Sequence, residues 1–343
     1  MTHIWVPKAK ILEGEIGLKS GQVAGQYTIR KYKADTDELI QEIGPFDNLI
    51  TNQGLNRVGT DVFGDKIFVG TGTATPAVSN TQLGTYLNYT DTPAPSLYWN
   101  AAILQGGSPD YWVQGAGTWR FAAGTATGTL TEVGIGWFTT PPYTAANHRV
   151  SSRALIVDSG GSPISITVLA DEYLDVTYSL RYYPYVGSDV VQTVVISGVT
   201  YTFTTRAFGV ATSTYCSVNA TAPMNWAGQT EVRTGTAAGT PPALAAITAT
   251  SMLTGGSGAF LSTTKNTYVD SSLGMSAVFS AGLAVANLAY GIRGMITRTT
   301  NPSNHTTYSF INSAFQSTIS PAIPKDNTKI LQFGASMSWS RKP

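Results

Sequence analysis

Charge is what this sequence is shortest of. Asp, Glu, Lys and Arg together make up 12% of the 343 residues, and the formal net charge is +1. That is about half the charged share of an ordinary soluble domain, roughly 25%. The surface must therefore be dressed in Ser, Thr, Asn, Gln and Gly, and copies of the chain repel one another weakly, which suits life inside an assembly. The same shortage leaves no electrostatic footprint for nucleic acid or for an anionic membrane. Cysteine is nearly absent too: Cys216 is the sole one, so no internal disulfide and no thiolate metal cluster is expected.

Long apolar runs are also missing. The amino terminus "MTHIWVPKAKILEGEIG" has scattered charges and no continuous apolar core, so it does not read as a signal peptide. The most apolar window, residues 276–296, is interrupted by glycines, Asn287 and Arg293, whereas a membrane span needs about 20 cleaner residues. It reads as buried strands. Histidine pairs are lacking as well. His3, His148 and His305 stand far apart, and the expectation for His148 and His305 is exposure in polar loops.

What is present is β pattern. Short runs rich in Val, Ile, Thr, Tyr and Phe recur between Gly, Pro, Ser and Asn clusters. The expected fold class is all-β, as two β-sandwich (jelly-roll-like) units: residues 1–188, with a short N-terminal arm, and residues 189–343. "QYTIRKYK" and "LIQEIG" read as strands around an acidic turn. "TWRFAAG" and "TLTEVGIGWF" read as a second pair, and "SRALIVD" with "ISITVL" as a third around Gly160 and Gly161. In 172–185 Leu174, Val176, Tyr178 and Leu180 alternate with polar residues. The pattern restarts in "VVQTVVISGVTYTFTTRAF". Ile164, Ser165, Val168 and Asp171 match Ile319, Ser320, Ile323 and Asp326 at equal offsets, so a loose duplication is one alternative.

"IFVGTGTATPAVSNTQLG", residues 67–84, invites a nucleotide-binding reading. A phosphate loop would need Lys and Ser/Thr after its second glycine, and Thr73, Ala74, Thr75 and Pro76 follow Gly72. The expectation is a strand whose glycines permit close packing, then a loop, then a short helical turn capped by Ser79 or Asn80.

Candidate chemistry is thin. Ser257 in "GGSGA" lacks the last glycine of a nucleophile elbow. A glycosidase needs two carboxyl groups in a cleft; the densest sets are Asp35, Asp37 and Glu38, and Asp171, Glu172 and Asp175, all read as turn caps, with calcium binding favoured slightly over catalysis although no Asp-x-Asp-x-Asp-Gly loop is present. Expected catalytic, cofactor-binding and metal residues are none. Tyr98, Trp99, Tyr111, Trp112 and Trp119 fall within twenty-two positions. They are the candidate interface or glycan-contact aromatics, packing or subunit contact being favoured over sugar stacking.

"PFDNLITNQGLNRVG" (45–59) followed by residues 67–84 resembles virion proteins of tailed bacteriophages, of the tail, tail-tip and appendage type. The likeness lies in the Asn48–Thr51 segment, the Gly54–Leu55 turn, the Val69–Gly72 strand and the Thr81-x-Leu83-Gly84 ending, and it continues in residues 151–184. The resemblance implies a non-enzymatic structural subunit of the virion, made in the bacterial host cytoplasm. Its partners would be identical subunits and other virion proteins, with no cofactor, no nucleic acid and no membrane insertion. Alternatives are a receptor-binding adhesin for a host surface glycan and a capsid or neck decoration protein.

Overall fold

A computed structural model describes residues 9–19, 21–60, 63–94, 100–106, 111–208, 217–218, 230–234, 242–244, 258–298, 311–312 and 314–342. Strands β1 (Lys10–Gly17), β2 (Gly21–Lys33), β3 (Leu39–Asp47) and β4 (Leu49–Ile50) precede helix α1 (Asn52–Thr60). There follow β5 (Lys66–Gly70), β6 (Tyr86–Thr90), β7 (Asn100–Gly106), β8 (Trp112–Phe121), β9 (Gly128–Leu130), β10 (Glu132–Phe138), β11 (His148–Leu155), β12 (Ile166–Val168) and β13 (Glu172–Tyr183). Beyond residue 188 come β14 (Val190–Ile196), β15 (Val199–Phe208), β16 (Ser217–Val218), β17 (Thr230–Arg233), β18 (Gly258–Lys265) and β19 (Gly274–Ala281). Then β20 (Ile292–Arg298), β21 (Ile311–Asn312), β22 (Ala314–Ile323) and β23 (Lys329–Arg341) complete the order. With 60% strand and 4% helix among the described residues, the class is all-β.

Most strands belong to one 14-stranded sheet in the order β14-β15-β22-β20-β17-β18-β19-β23-β2-β13-β8-β7, with β1 added to β23 and β3 to β2. The sheet forks. β1 runs parallel to β23 from Lys10↔Lys329 to Gly17↔Ser336, and β2 continues along the same flank only from Gly21↔Trp339 to Val23↔Arg341. From Gln26 onward that edge of β2 pairs with β3 instead. Thus β1 lies with the strands that follow residue 188, joined to β23 by eight residue pairs, and β2 meets the same strand through three more. A second sheet, β4-β11-β10-β5-β6, touches the first through the core: the Tyr27 hydroxyl of β2 meets Ser152 Oγ of β11 at 2.7 Å.

Period-two alternation builds these strands. On β2 and β13, Val23, Tyr27, Ile29, Val176, Tyr178 and Leu180 all point inward and are wholly buried. Each such side chain contributes roughly 1.5–3 kcal/mol by leaving water. Their neighbours in sequence form the polar outer face. There Glu42, Arg30, Asp175 and Arg120 stand directly opposite one another across β3, β2, β13 and β8, alternating in sign. Opposite charges in facing positions favour this register.

Several expectations hold. β2 and β3 form the hairpin around the acidic turn, strands resume at β14 and β15 where the pattern restarts, and residues 276–296 supply most of β19 and β20. No described helix is long and apolar enough to cross a membrane.

Others are corrected. β8 and β10 do not pair: β8 lies between β13 and β7, and β10 between β5 and β11 in the second sheet. Residues 122–131, with β9 among them, carry the chain from one sheet to the other; β10 is buried at its first five positions and lies between two partners there. The turn at Gly161 (φ 82°) closes as expected, yet β12 then leaves to pair with β9. Val168 and Ile323 each end a strand that turns through Asp171 or Asp326 into a long strand, but β12 pairs with β9 whereas β22 pairs with β15 and β20.

The helix stands where only a turn is expected. Thr51 caps it, its Oγ1 accepting the Gly54 N–H at 3.0 Å. Gly54 and Gly59 are its contact face: a Cβ at Gly54 would lie 2.0 Å from the Ser151 carbonyl, and at Gly59 2.3 Å from the Tyr268 ring. β23 holds the helix from the other side, the Trp339 Nε1–H donating to the Leu55 carbonyl at 2.8 Å.

Candidate functional site

The loop of residues 71–85 does cradle an anion, and the anion is the protein's own Glu132. Its Oε1 accepts the N–H groups of Gly72 (2.9 Å) and Thr85 (2.7 Å), and its Oε2 that of Gly84 (2.9 Å). Arg153 Nε reaches the same carboxylate at 2.7 Å, and its other nitrogens donate to Asn80 Oδ1 and the Ala74 carbonyl. The expected helical turn at 79–80 is therefore absent, since Asn80 spends its side chain on Ala77 N–H and Arg153. Burial of two opposite charges together, with each guanidinium nitrogen of Arg153 donating a hydrogen bond, makes the loop a fixed part of the core. A phosphate has no place left in it.

His148 is also corrected. It is buried in β11, not exposed in a loop. Nε2 accepts the Leu83 N–H at 2.9 Å, so the proton sits on Nδ1 and donates to the Ala145 carbonyl at 2.6 Å. Burial pushes the imidazole below its ordinary 6.5, against the opposing bond to Ala145.

The carboxylates considered for hydrolysis are dispersed into cross-strand pairs. Asp175 is gripped by Arg120 through two bonds of 2.7 and 2.8 Å. Glu172 meets Lys31 at 3.2 Å and accepts the Leu169 N–H at 2.8 Å. Asp171 pairs with Lys33, whose ammonium holds the carboxyl below its usual range. Asp37 accepts the Tyr173 hydroxyl at 2.8 Å, and Asp35 and Glu38 are exposed in the turn. Among the described residues no three His, Cys, Asp or Glu side chains gather to hold a metal.

The aromatic set divides. Trp119 is buried in the core. Trp112 is half-buried under the Arg181 guanidinium, 4.2 Å from the ring centroid, and Tyr111 is half-buried against the core edge. Tyr98 and Trp99 lie outside the described residues, as do His3, His305, Cys216 and Ser257.

The feature most open to a partner is β14, terminal in the large sheet. Ser197 (φ 50°) and Gly198 (φ 82°) form the tight turn to β15, of the kind whose two positive φ angles match strand twist. Such a turn makes Ile196 and Val199 a hydrogen-bonded pair, so alternate residues Val191, Thr193 and Val195 direct their N–H and C=O away from β15. Val191 and Val195 are also 64% and 63% exposed. No charged residue occurs between Asp189 and Arg206, which pair with each other at 2.6 Å. By contrast the edge strand β3 carries Glu42 and Asp47, is irregular in register at two points, and contains Pro45, which has no N–H to offer. Those are devices that blunt an edge, and β14 has none of them. The uncharged run "VVQTVVISGVTYTFTT" was legible as a restart of the strand pattern; its turn and its place at the end of the sheet were not.

Comparisons with protein families, with curated proteins and with solved structures find no match for this chain.

Proposed function

We propose that the chain is a structural subunit of a tailed-phage virion, a tail or tail-appendage component that works by joining its sheet edges to those of neighbouring copies. The observation that supports assembly is β14: an uncharged strand of regular register at the end of the sheet, with outward backbone groups at Val191, Thr193 and Val195 and exposed valines beside them. An added strand from a second subunit would satisfy the backbone groups and cover the valines in one step. The low charge of the whole chain removes the repulsion that would oppose it. The virion setting rests on the likeness of residues 45–84 to tail proteins. Such a role requires no reaction centre.

The test is sedimentation of the purified chain over a range of concentrations, beside Val191→Lys/Val195→Lys. The parent should self-associate and the double variant remain monomeric with an unchanged melting temperature, since surface substitutions typically shift stability by only about 0.5 kcal/mol. A parent that stays monomeric at its solubility limit would remove the assembly reading. Labelled antibody that finds the chain nowhere on purified particles would remove the virion reading.

A further inference from the structure

We propose that β14 pairs with β14 of a second copy of this chain, antiparallel about a twofold axis through Thr193. The proposal rests on the assembly reading and deepens it, naming the strand that the partner supplies, the register, and a limit of two chains at this edge.

The edge is complementary to itself. Gln192, Val194 and Ile196 face Phe203, Tyr201 and Val199 in the ladder with β15, so Val191, Thr193 and Val195 turn both backbone groups outward. These three are spaced evenly about Thr193. Laid antiparallel on itself with Thr193 opposite Thr193, the strand brings Val191 opposite Val195 and Val195 opposite Val191. Each pair then exchanges two backbone hydrogen bonds. A shift of one residue would set outward groups against residues already bonded to β15, and a shift of two would leave one of the three without a match.

The side chains agree with this register. Val191, Thr193 and Val195 are exposed on one face, so the pairing sets valine against valine on either side of a Thr–Thr contact. Facing β-branched residues and Thr–Thr hydrogen bonds are pairs that stabilise a sheet. β1 packs on β14 through the other set of residues. The Gly17 N–H donates to Gln192 Oε1 at 2.9 Å, and a Cβ at Gly14 would lie 2.7 Å from Val194.

Charge does not oppose the contact. Asp189 stands four positions before Thr193, which puts the two copies' Asp189 about 27 Å apart along the paired strands. Screening acts within about 8 Å at physiological salt. The other edges are poorer templates: β1 carries Glu13 and Glu15, and β3 and β7 break register against their own neighbours. A twofold contact of this kind is isologous and closes on itself, so an assembly larger than two chains must use a different surface.

The experiment is oxidative cross-linking of Thr193→Cys, Val191→Cys and Val195→Cys in the full chain, beside sedimentation of the parent. Peptide mass mapping locates each disulfide and separates it from links through Cys216. Facing residues in a hydrogen-bonded pair have Cα atoms about 5.5 Å apart, within the disulfide range of roughly 4.4–6.8 Å. Thr193→Cys should therefore link to itself. Val191→Cys alone should not, since its two copies lie about 14 Å apart, and the same holds for Val195→Cys; a mixture of these two should give the crossed dimer. The proposal is overturned if Thr193→Cys yields no 193–193 link, if Val191→Cys alone links to itself as readily, or if the mixture gives no crossed dimer. A parent that still sediments as an oligomer would then keep the assembly reading and lose this register, whereas a parent monomeric at its solubility limit removes both.

Discussion

Arg153 and Glu132 meet Nε to Oε2 at 2.7 Å with 2% and 0% of their side chains exposed, and the loop of residues 71–85 is wrapped around their contact. Glu132→Gln leaves the guanidinium buried without its counter-charge and weakens three backbone hydrogen bonds. Removing one partner of such a pair costs about 3–5 kcal/mol. Urea denaturation should show a loss of that order for Glu132→Gln and for Arg153→Met. A loss below about 1 kcal/mol, the scale of one ordinary hydrogen bond, would mean the pair does not hold the loop.

His148 predicts acid sensitivity. Its folded pKa lies below the ordinary 6.5 because burial opposes the charged form, with the neighbouring Arg149 adding in the same direction and Glu132 opposing. The stability it gives is therefore complete above pH 6.5 and is lost as pH falls through the folded value. One proton sets the limiting slope at about 1.4 kcal/mol per pH unit. Thermal melts should show stability falling as pH drops below about 6.5, no more steeply than this limit, and His148→Asn should flatten the fall; equal slopes in both proteins would refute the assignment.

Gly72→Ala and Gly282→Ala should behave oppositely. A Cβ at Gly72 would lie 2.3 Å from Glu132 Oε1 and 2.8 Å from the Thr85 nitrogen, whereas at Gly282 nothing stands within 4 Å. The first substitution should cost about 1–3 kcal/mol. The second should be neutral or raise the melting temperature slightly, by restricting the unfolded chain. Similar effects of the two on urea midpoints would count against the packed loop.

Trp339→Phe keeps a ring against Tyr268, with which Trp339 stacks at 5.8 Å, but removes the Nε1–H that serves the Leu55 carbonyl. The expected cost is about 1–3 kcal/mol for an unanswered buried acceptor. Hydrogen exchange should rise first in residues 52–60. Unchanged protection there would show that the helix does not depend on β23.

The strands were legible where one face meets the core and the other meets water, as in β2, β13 and the β14–β15 hairpin, because period two is written in consecutive residues. The helix was hidden because Asn52, Gly54, Asn56 and Gly59 are poor helix formers; packing of the glycines on Ser151 and Tyr268 decides it. The β8–β10 pairing misled because nearness in sequence favours adjacency, while residues 122–131, with β9 among them, suffice to cross between sheets. His148 and the Glu132–Arg153 pair were invisible for another reason: their partners lie between 21 and 79 residues away along the chain wherever the contact is not local. No spacing rule marks a loop that folds around a distant carboxylate.

Lys10 and Lys329 face each other across β1 and β23 although 319 positions separate them (329 − 10). Closing so long a loop has a large entropic cost that must be met before the pairing returns anything, so a high contact order sets a slow folding rate. Until that closure the flank of β23 is an open template, and the uncharged β14 hairpin, built from neighbours in sequence, is already formed beside it. Folding yield should therefore fall steeply with chain concentration, a kinetic hazard that comes from the same unguarded edge that suits this chain to assembly.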